Sequence, residues 1–312
     1  MSEHMWTLVL AAGAGRRLAA VTGGIPKQFW SIDGGPSLVE QTIARLGPLA
    51  SLARTLTVVG ASHLAHVEHL RDALSLGHLV IQPADRGTAT GVLIGLAPIA
   101  LGSPDDLVLL TPSDHGIART DLFEQTVFDV AATVRAGRTD IVLFGVTPDV
   151  ASSDYGWITP VTSPRLAGGN QILPVAGFVE KPSPTEAARL LSSGAVWNSM
   201  VLVARAGALF DLYRRHLPEL ADVFISVSRL PADRRARFIT EIYPVLPSTD
   251  FSRDVLTPAE GLAVYTWPAT LGWSDLGTPE RLARWLRRDL MNYFDRQPAG
   301  NVLHASAEAR VA

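Results

Sequence analysis

Residues 6–18 read Trp-Thr-Leu-Val-Leu-Ala-Ala-Gly-Ala-Gly-Arg-Arg-Leu, and no other stretch restricts the fold as much. Leu8, Val9 and Leu10 are apolar at successive positions, the pattern of a strand buried on both faces. The five residues from Ala11 to Gly15 have almost no side chains, so backbone N–H groups there can approach a ligand closely. Consecutive N–H groups in such a loop form an anion-binding nest. Arg17 follows directly, and Lys27 follows after Gly24-Ile25-Pro26. A nest with mobile positive charge beside it suits a polyphosphate. A tight strand-to-helix turn with no ligand would also accept Gly13-Ala14-Gly15, so the added cations carry the argument. Two common nucleotide fingerprints are excluded. No Gly-Lys-Ser/Thr follows, as a Walker A loop requires. Leu18 stands where a dinucleotide fold needs its third glycine.

The chain of 312 residues is 47% hydrophobic and 18% charged, enough to bury one large α/β core or two smaller ones. A net charge of −3 gives no general attraction to nucleic acid or an anionic membrane, so any polyanion site must be local. No apolar run approaches a membrane span. There is no cysteine, hence no disulfide or thiolate metal site, and the N-terminus lacks a basic region with an apolar core behind it. These features point to the cytoplasm.

Further along, Ser37-Leu38-Val39-Glu40 reads as a capping box opening a helix to Leu46. Strands are expected at Leu56–Val59, Leu79–Ile81, Leu107–Thr111 and 140–146, with a helix over 62–76 between the first two. His63, His66 and His69 fall three apart on that helix; with no carboxylate or cysteine cluster beside them, they read as a solvated face. Gln82-Pro83-Ala84-Asp85-Arg86-Gly87-Thr88 reads as a second loop of small residues, ahead of an apolar helix over 92–100. A helix over 120–136 carries Phe123, Val127, Val130 and Val134 on one face. Five strands alternating with helices imply a doubly wound parallel sheet. Pro112-Ser113-Asp114-His115 ends the fourth strand, where a carboxylate can hold Mg2+ against a triphosphate, although a lone Asp there is ordinarily a turn or cap residue. Beyond residue 147 come Tyr155-Gly156-Trp157, then Glu180-Lys181-Pro182, then Trp197-Asn198-Ser199-Met200. Arg-rich helices over 206–239, a strand over 262–267 and a final helix over 279–294 complete the pattern, and Arg234, Arg235 and Arg237 read as a solvated face.

Leu10–Leu18 followed by Pro26-Lys27-Gln28-Phe29 resembles the signature of the sugar-phosphate nucleotidyltransferases, and Pro-Lys-Gln-Phe is most like their mannose-1-phosphate guanylyltransferase branch. Ala19-Ala20 stand where that branch has Trp-Pro. Pro112-Ser113-Asp114-His115, Glu180-Lys181-Pro182, Trp197-Asn198-Ser199 and Gly272-Trp273-Ser274-Asp275-Leu276-Gly277 resemble further family motifs in order. Pro247-Ser248-Thr249-Asp250-Phe251 is a partial match, and Met200 replaces the family's usual glycine.

The resemblance implies a Rossmann-like doubly wound mixed sheet of the GT-A-like type, with a catalytic domain over 1–278 and a helical tail over 279–312. The nucleotide half would cover about 1–147 and the sugar-phosphate half about 148–278. By the same resemblance Ala11, Gly13, Gly15 and Arg17 serve the nucleotide, with Gln82, Gly87 and Thr88 on the base side. Arg17, Lys27 and Lys181 are the catalytic cations. Gly156, Glu180, Lys181 and Asn198 face the sugar phosphate, and Asp114 and Asp275 hold Mg2+. The implied reaction is nucleotidyl transfer from an NTP, with GTP favoured, to a sugar-1-phosphate, with mannose-1-phosphate favoured. Cytidylyl or other nucleotidyl transfer to a different sugar or polyol phosphate is the alternative, as is a sugar-nucleotide-binding regulator without catalysis. Oligomeric state is left open, a homodimer included.

Overall fold

A computed structural model describes residues 5–71, 77–161 and 171–296 of the chain. The expected tail beyond Arg296, and residues 72–76 of the expected helix over 62–76, lie outside the described residues. Strands β1 (Met5–Ala11), β2 (Thr55–Gly60), β3 (His78–Gln82) and β4 (Leu107–Pro112) form a parallel block in the order β3-β2-β1-β4. Their continuous apolar runs follow from burial on both faces. Leu8 and Leu110 enter the core under α3 (Gly87–Gly102), while their neighbours Val9 and Leu109 enter the core under α4 (Thr120–Arg135). Phe123, Val127, Val130 and Val134 of α4 are all fully buried there, as their spacing predicts. Gly95 lets α3 settle onto β1, because a Cβ at that position would run into Leu8.

The sheet is mixed, as the resemblance implies, and the five strands read as one parallel sheet are not all neighbours in it. β9 (Val196–Arg205) lies between β4 and β6 (Ile141–Val146), antiparallel to both. β10 (Ala263–Trp267) then pairs parallel to β6, and β8 (Ile172–Glu180) and β7 (Gly156–Pro160) follow antiparallel. β7 also pairs with β9, so this half of the nine-stranded mixed sheet closes on itself. Local pattern cannot reveal this, because β9 arrives from far downstream of β6 and its alternation looks the same in either direction.

α1 (Leu38–Leu46) opens with the expected capping box: Glu40 Oε2 accepts from the Ser37 backbone N–H at 2.6 Å. α5 (Pro184–Ser192) starts on Ser183, whose Oγ accepts from the Glu186 N–H. α6 (Ala206–His216), α7 (Pro218–Ser228) and α8 (Ala232–Ile242) follow β9, and the first two add Tyr213 and Phe224 to the α3 side of the core. Arg234, Arg235 and Arg237 are exposed on α8, as expected.

Two local expectations are corrected. α3 begins at Gly87, earlier than the apolar pattern from Val92 suggests. Gly87 has φ +78° and packs on the Thr249 backbone, whose carbonyl accepts from the Ala89 N–H at 3.1 Å, so a distant loop nucleates the extra turn. His63 is not on a solvated face. It closes a 3-10 turn (Ala61–His63) ahead of α2 (Leu64–Arg71), is 8% exposed, and sits edge-on to Phe29. Its Nδ1 lies 3.4 Å from Gln28 Nε2, so it faces inward toward the Pro-Lys-Gln segment.

Candidate active site

The Gly-rich loop leaves the C-terminal end of β1. Ala11 is buried, Gly13 and Ala14 are exposed, and Gly15 takes φ +59°. A Cβ on Gly15 would sit 3.0 Å from both Cβ and N of Lys27, so glycine is needed for conformation and for space. Gln28 is 2% exposed and stiffens the loop: its Nε2 donates to the carbonyls of Ala11 (2.8 Å) and Gly13 (3.0 Å). That bracing role is not visible in the sequence, although the Pro-Lys-Gln motif marks the residue.

The two candidate metal aspartates meet around Lys27. Asp114 follows β4, and its loop is tied to β1 through Ser113, whose Oγ donates to the Leu10 carbonyl at 2.7 Å. Asp275 follows β11 (Trp273–Ser274), which pairs antiparallel with β5 (Gly116–Ile117) just beyond Asp114. This short ribbon brings residues far apart in the chain together. Lys27 is 5% exposed; its Nζ lies 3.0 Å from Asp114 Oδ2 and also donates to the Asp275 carbonyl. Burial by itself would raise the Asp114 carboxyl, yet the Lys27 ammonium, with His115, holds it below the ordinary carboxylate value. Burial pushes His115 down to about 4, so the imidazole is neutral at pH 7 and accepts from Trp273 Nε1 at 3.3 Å through Nδ1.

Asp275 is held at both oxygens. Tyr155 Oη donates to Oδ1 and Arg281 Nη1 to Oδ2, each at 2.9 Å. Burial, then the Asp275 charge, pushes the Tyr155 phenol up, which keeps it a donor. Arg281 belongs to α9 (Pro279–Arg296), covers the Tyr155 ring at 4.5 Å, and reaches Asp154 Oδ2 with Nη2 at 2.7 Å. Nothing in the sequence separates Arg281 from the other arginines of its helix. Gly277 leaves space for the Asp275 carboxylate, which a Cβ would strike.

Arg17, Thr88, Gly156, Glu180, Lys181, Asn198 and Asp275 line one cleft of about 220 Å³, together with His115, Asp154, Tyr155, Met200, Asp250, Ser252 and Trp273. Arg17 is 61% exposed and its Nη1 lies 3.8 Å from Asp154. Lys181 is similarly exposed, 3.5 Å from Glu180 Oε1. Burial raises the Glu180 carboxyl, which Lys181 partly offsets. Gly156 makes room for Glu180, since a Cβ would come within 2.5 Å of Oε2. Asn198 is buried and engaged by Met200, whose N–H donates to Asn198 Oδ1 at 3.1 Å. Thr88 Oγ1 accepts from the Phe251 N–H at 2.8 Å. Two expected base-side residues stand apart from the cleft lining: Gln82 is 5% exposed and donates to Tyr243 Oη at 2.7 Å, and Gly87 packs on Thr249. Among the described residues three non-glycine residues have positive φ, Lys181 (47°), Met200 (60°) and Leu276 (47°); two line the cleft and the third follows Asp275. Such strain concentrates at functional sites.

The nucleotidyl transferase family profile matches residues 6–291, from the start of β1 into α9. The chain belongs to the nucleotidyl transferase family. It is 28% identical over 287 residues to the mannose-1-phosphate guanylyltransferase of Escherichia coli K12, covering 88% of this chain and 58% of that protein. It is 29% identical over 279 residues to the alginate biosynthesis protein AlgA of Pseudomonas putida, covering 88% and 56%. The chain therefore spans little more than half the length of these relatives. A Thermus thermophilus structure described as a mannose-1-phosphate geranyltransferase superposes with a TM-score of 0.76 at 28% identity, over 91% of this chain and 79% of that one. Among the described residues no helix is long and apolar enough to cross a membrane.

Proposed function

We propose that this nucleotidyltransferase joins a nucleoside triphosphate, GTP by its guanylyltransferase-like motifs, to a sugar-1-phosphate of the mannose-1-phosphate class, releasing pyrophosphate. The observation that carries the reading is the shared cleft. Arg17 and Thr88 from the first half face Gly156, Glu180, Lys181, Asn198 and Asp275 from the second. In the reaction an oxygen of the sugar-1-phosphate attacks the α-phosphorus, the bond from that phosphorus to the bridging oxygen breaks, and pyrophosphate leaves with the electron pair. The attacking phosphate, with a second pKa of about 6, is largely dianionic at neutral pH and needs no base. Positioning and charge neutralisation are the enzyme's tasks. The N–H groups from Ala12 to Gly15 would cradle the triphosphate. Arg17, released from Asp154, would bind it, and Lys27 would stabilise the leaving group. Lys181 would hold the incoming phosphate and Glu180 would accept from sugar hydroxyls.

The donor set fits a divalent cation. The cleft lining carries Asp154, Glu180, Asp250 and Asp275 against Arg17 and Lys181, with Arg281 paired to Asp154 and Asp275, so a bound triphosphate would gain from added positive charge. Among the described residues no three or more carboxylates, histidines or cysteines are grouped so that they alone could hold a metal ion. Two carboxylates completed by substrate phosphates are the usual arrangement for Mg2+. Asp114 and Asp275, each with lone pairs to spare, would hold it, and the ion would orient and neutralise the phosphates.

The test is pyrophosphate release with Mg2+ across the common NTPs crossed with a panel of sugar-1-phosphates, for wild type and Asp275→Ala. Turnover abolished by Asp275→Ala, with the fold kept by circular dichroism, is expected. Nucleotide binding without release for any pair would overturn the catalytic reading in favour of a regulator.

A further inference from the structure

Met200 holds a left-handed backbone, φ +60°, that glycine adopts freely and an L side chain does not. The strand is irregular at this point. Pairing passes from Gly145↔Asn198 to Leu143↔Leu202, so β6 advances two residues while β9 advances four. Ser199 anchors the bulge through Oγ to the Phe144 carbonyl at 2.6 Å. A bulge of this kind re-aims side chains, and here Asn198 and Met200 both line the cleft.

What Met200 does to its neighbours is specific. Its N–H takes Asn198 Oδ1 at 3.1 Å. Its Sδ lies 3.5 Å from Asn198 Nδ2 and 3.2 Å from Ser252 Oγ. The thioether thus covers one N–H of the Asn198 amide and lies against the Ser252 hydroxyl, which also bonds Glu180. That wall offers an apolar, polarisable surface, while Glu180, Lys181 and Asp250 keep the rest polar.

We propose that Met200 determines the choice of acceptor, and that the acceptor is a deoxy sugar-1-phosphate, with hydrogen in place of a hydroxyl, or methyl in place of a hydroxymethyl group, where it meets Met200. This deepens and rests on the reading of the cleft as a sugar-phosphate site. A hydroxyl placed against Met200 would lose water and meet a thioether, which donates no hydrogen bond and accepts only weakly. Selectivity from one such pocket contact is on the order of 10–200-fold.

The experiment compares kcat/KM for a parent hexose-1-phosphate and its singly deoxygenated counterparts, with Mg2+ and a fixed NTP, in wild type, Met200→Gly and Met200→Asn. Glycine suits the left-handed backbone, and asparagine tolerates it while offering a polar group, so folding is protected in both. Wild type is expected to favour one deoxy compound by about tenfold or more. Both variants should shift the preference toward the parent hexose, mainly through KM. Equal use of all acceptors by wild type, or an unchanged ratio in both variants, would overturn the assignment of Met200 and leave the catalytic reading standing. Failure of every NTP and acceptor to release pyrophosphate would overturn both.

Discussion

Lys27 Nζ lies 3.0 Å from Asp114 Oδ2 while it also donates to the main-chain carbonyl of Asp275. One buried ammonium thus neutralises the first candidate metal aspartate and fixes the backbone of the second. It sits directly under the Gly-rich loop, against Gly15.

Lys27→Met should remove the ammonium placed against Asp114 Oδ2 and leave that carboxylate largely uncompensated. A loss of about 3 kcal/mol is expected, the low end for a broken buried pair because Asp114 keeps some access to water. Urea denaturation measures it. Lys27→Met/Asp114→Asn should recover part of that stability and none of the activity; a double-variant loss equal to the sum of the two single-variant losses would show that the pair is not coupled.

Gly15→Ala places a Cβ 3.0 Å from Lys27 at φ +59°. A destabilisation of about 1–2 kcal/mol follows from the backbone conformation, and displacement of Lys27 should raise the KM for the triphosphate. Thermal melts and steady-state kinetics check the two parts separately. Gly13→Ala, with no atom near its added Cβ, serves as the milder comparison.

Arg281→Ala frees one oxygen each of Asp275 and Asp154 from a guanidinium that is only 19% exposed. Stability should fall by about 2 kcal/mol, with a loss of kcat/KM from a mobile Asp275. Arg281→Lys should restore less than half of either, since an ammonium cannot span two carboxylates as a fork does. Full rescue by lysine would mean that charge alone matters.

Burial holds the His63 imidazole below its ordinary value of 6.5. Between that folded-state value and 6.5 the unfolded chain binds more protons, so stability is complete above pH 6.5 and declines as pH falls through the window. The melting temperature of wild type should therefore drop more steeply on acidification than that of His63→Gln. Parallel curves would show that His63 carries no charge linkage.

Much of this protein is legible in its sequence because the signals are local. The apolar run at Leu8–Leu10, the capping box at Ser37–Glu40 and the helical spacing of Phe123 to Val134 each lie within one element, and each element forms as its pattern dictates. The glycines of the first loop and the ordered motifs identify the family without any coordinates, since they record backbone conformations and charges needed at a phosphate site.

Long-range pairing was not legible. The insertion of β9 between β4 and β6, and the β5–β11 ribbon that joins the Asp114 and Asp275 loops, depend on contacts between segments far apart in the chain. The same holds for the partners of the site residues. Arg281 was one arginine among several until α9 docked beside Tyr155, and the bond from the Gln82 amide to Tyr243 could not be read from either segment alone. Sequence alone determined which residue types were present for the chemistry and which local conformations they favour. Tertiary structure decided which of them share a cleft and which are engaged by each other, because hydrogen bonds and ion pairs form only where folding brings distant groups within about 3 Å.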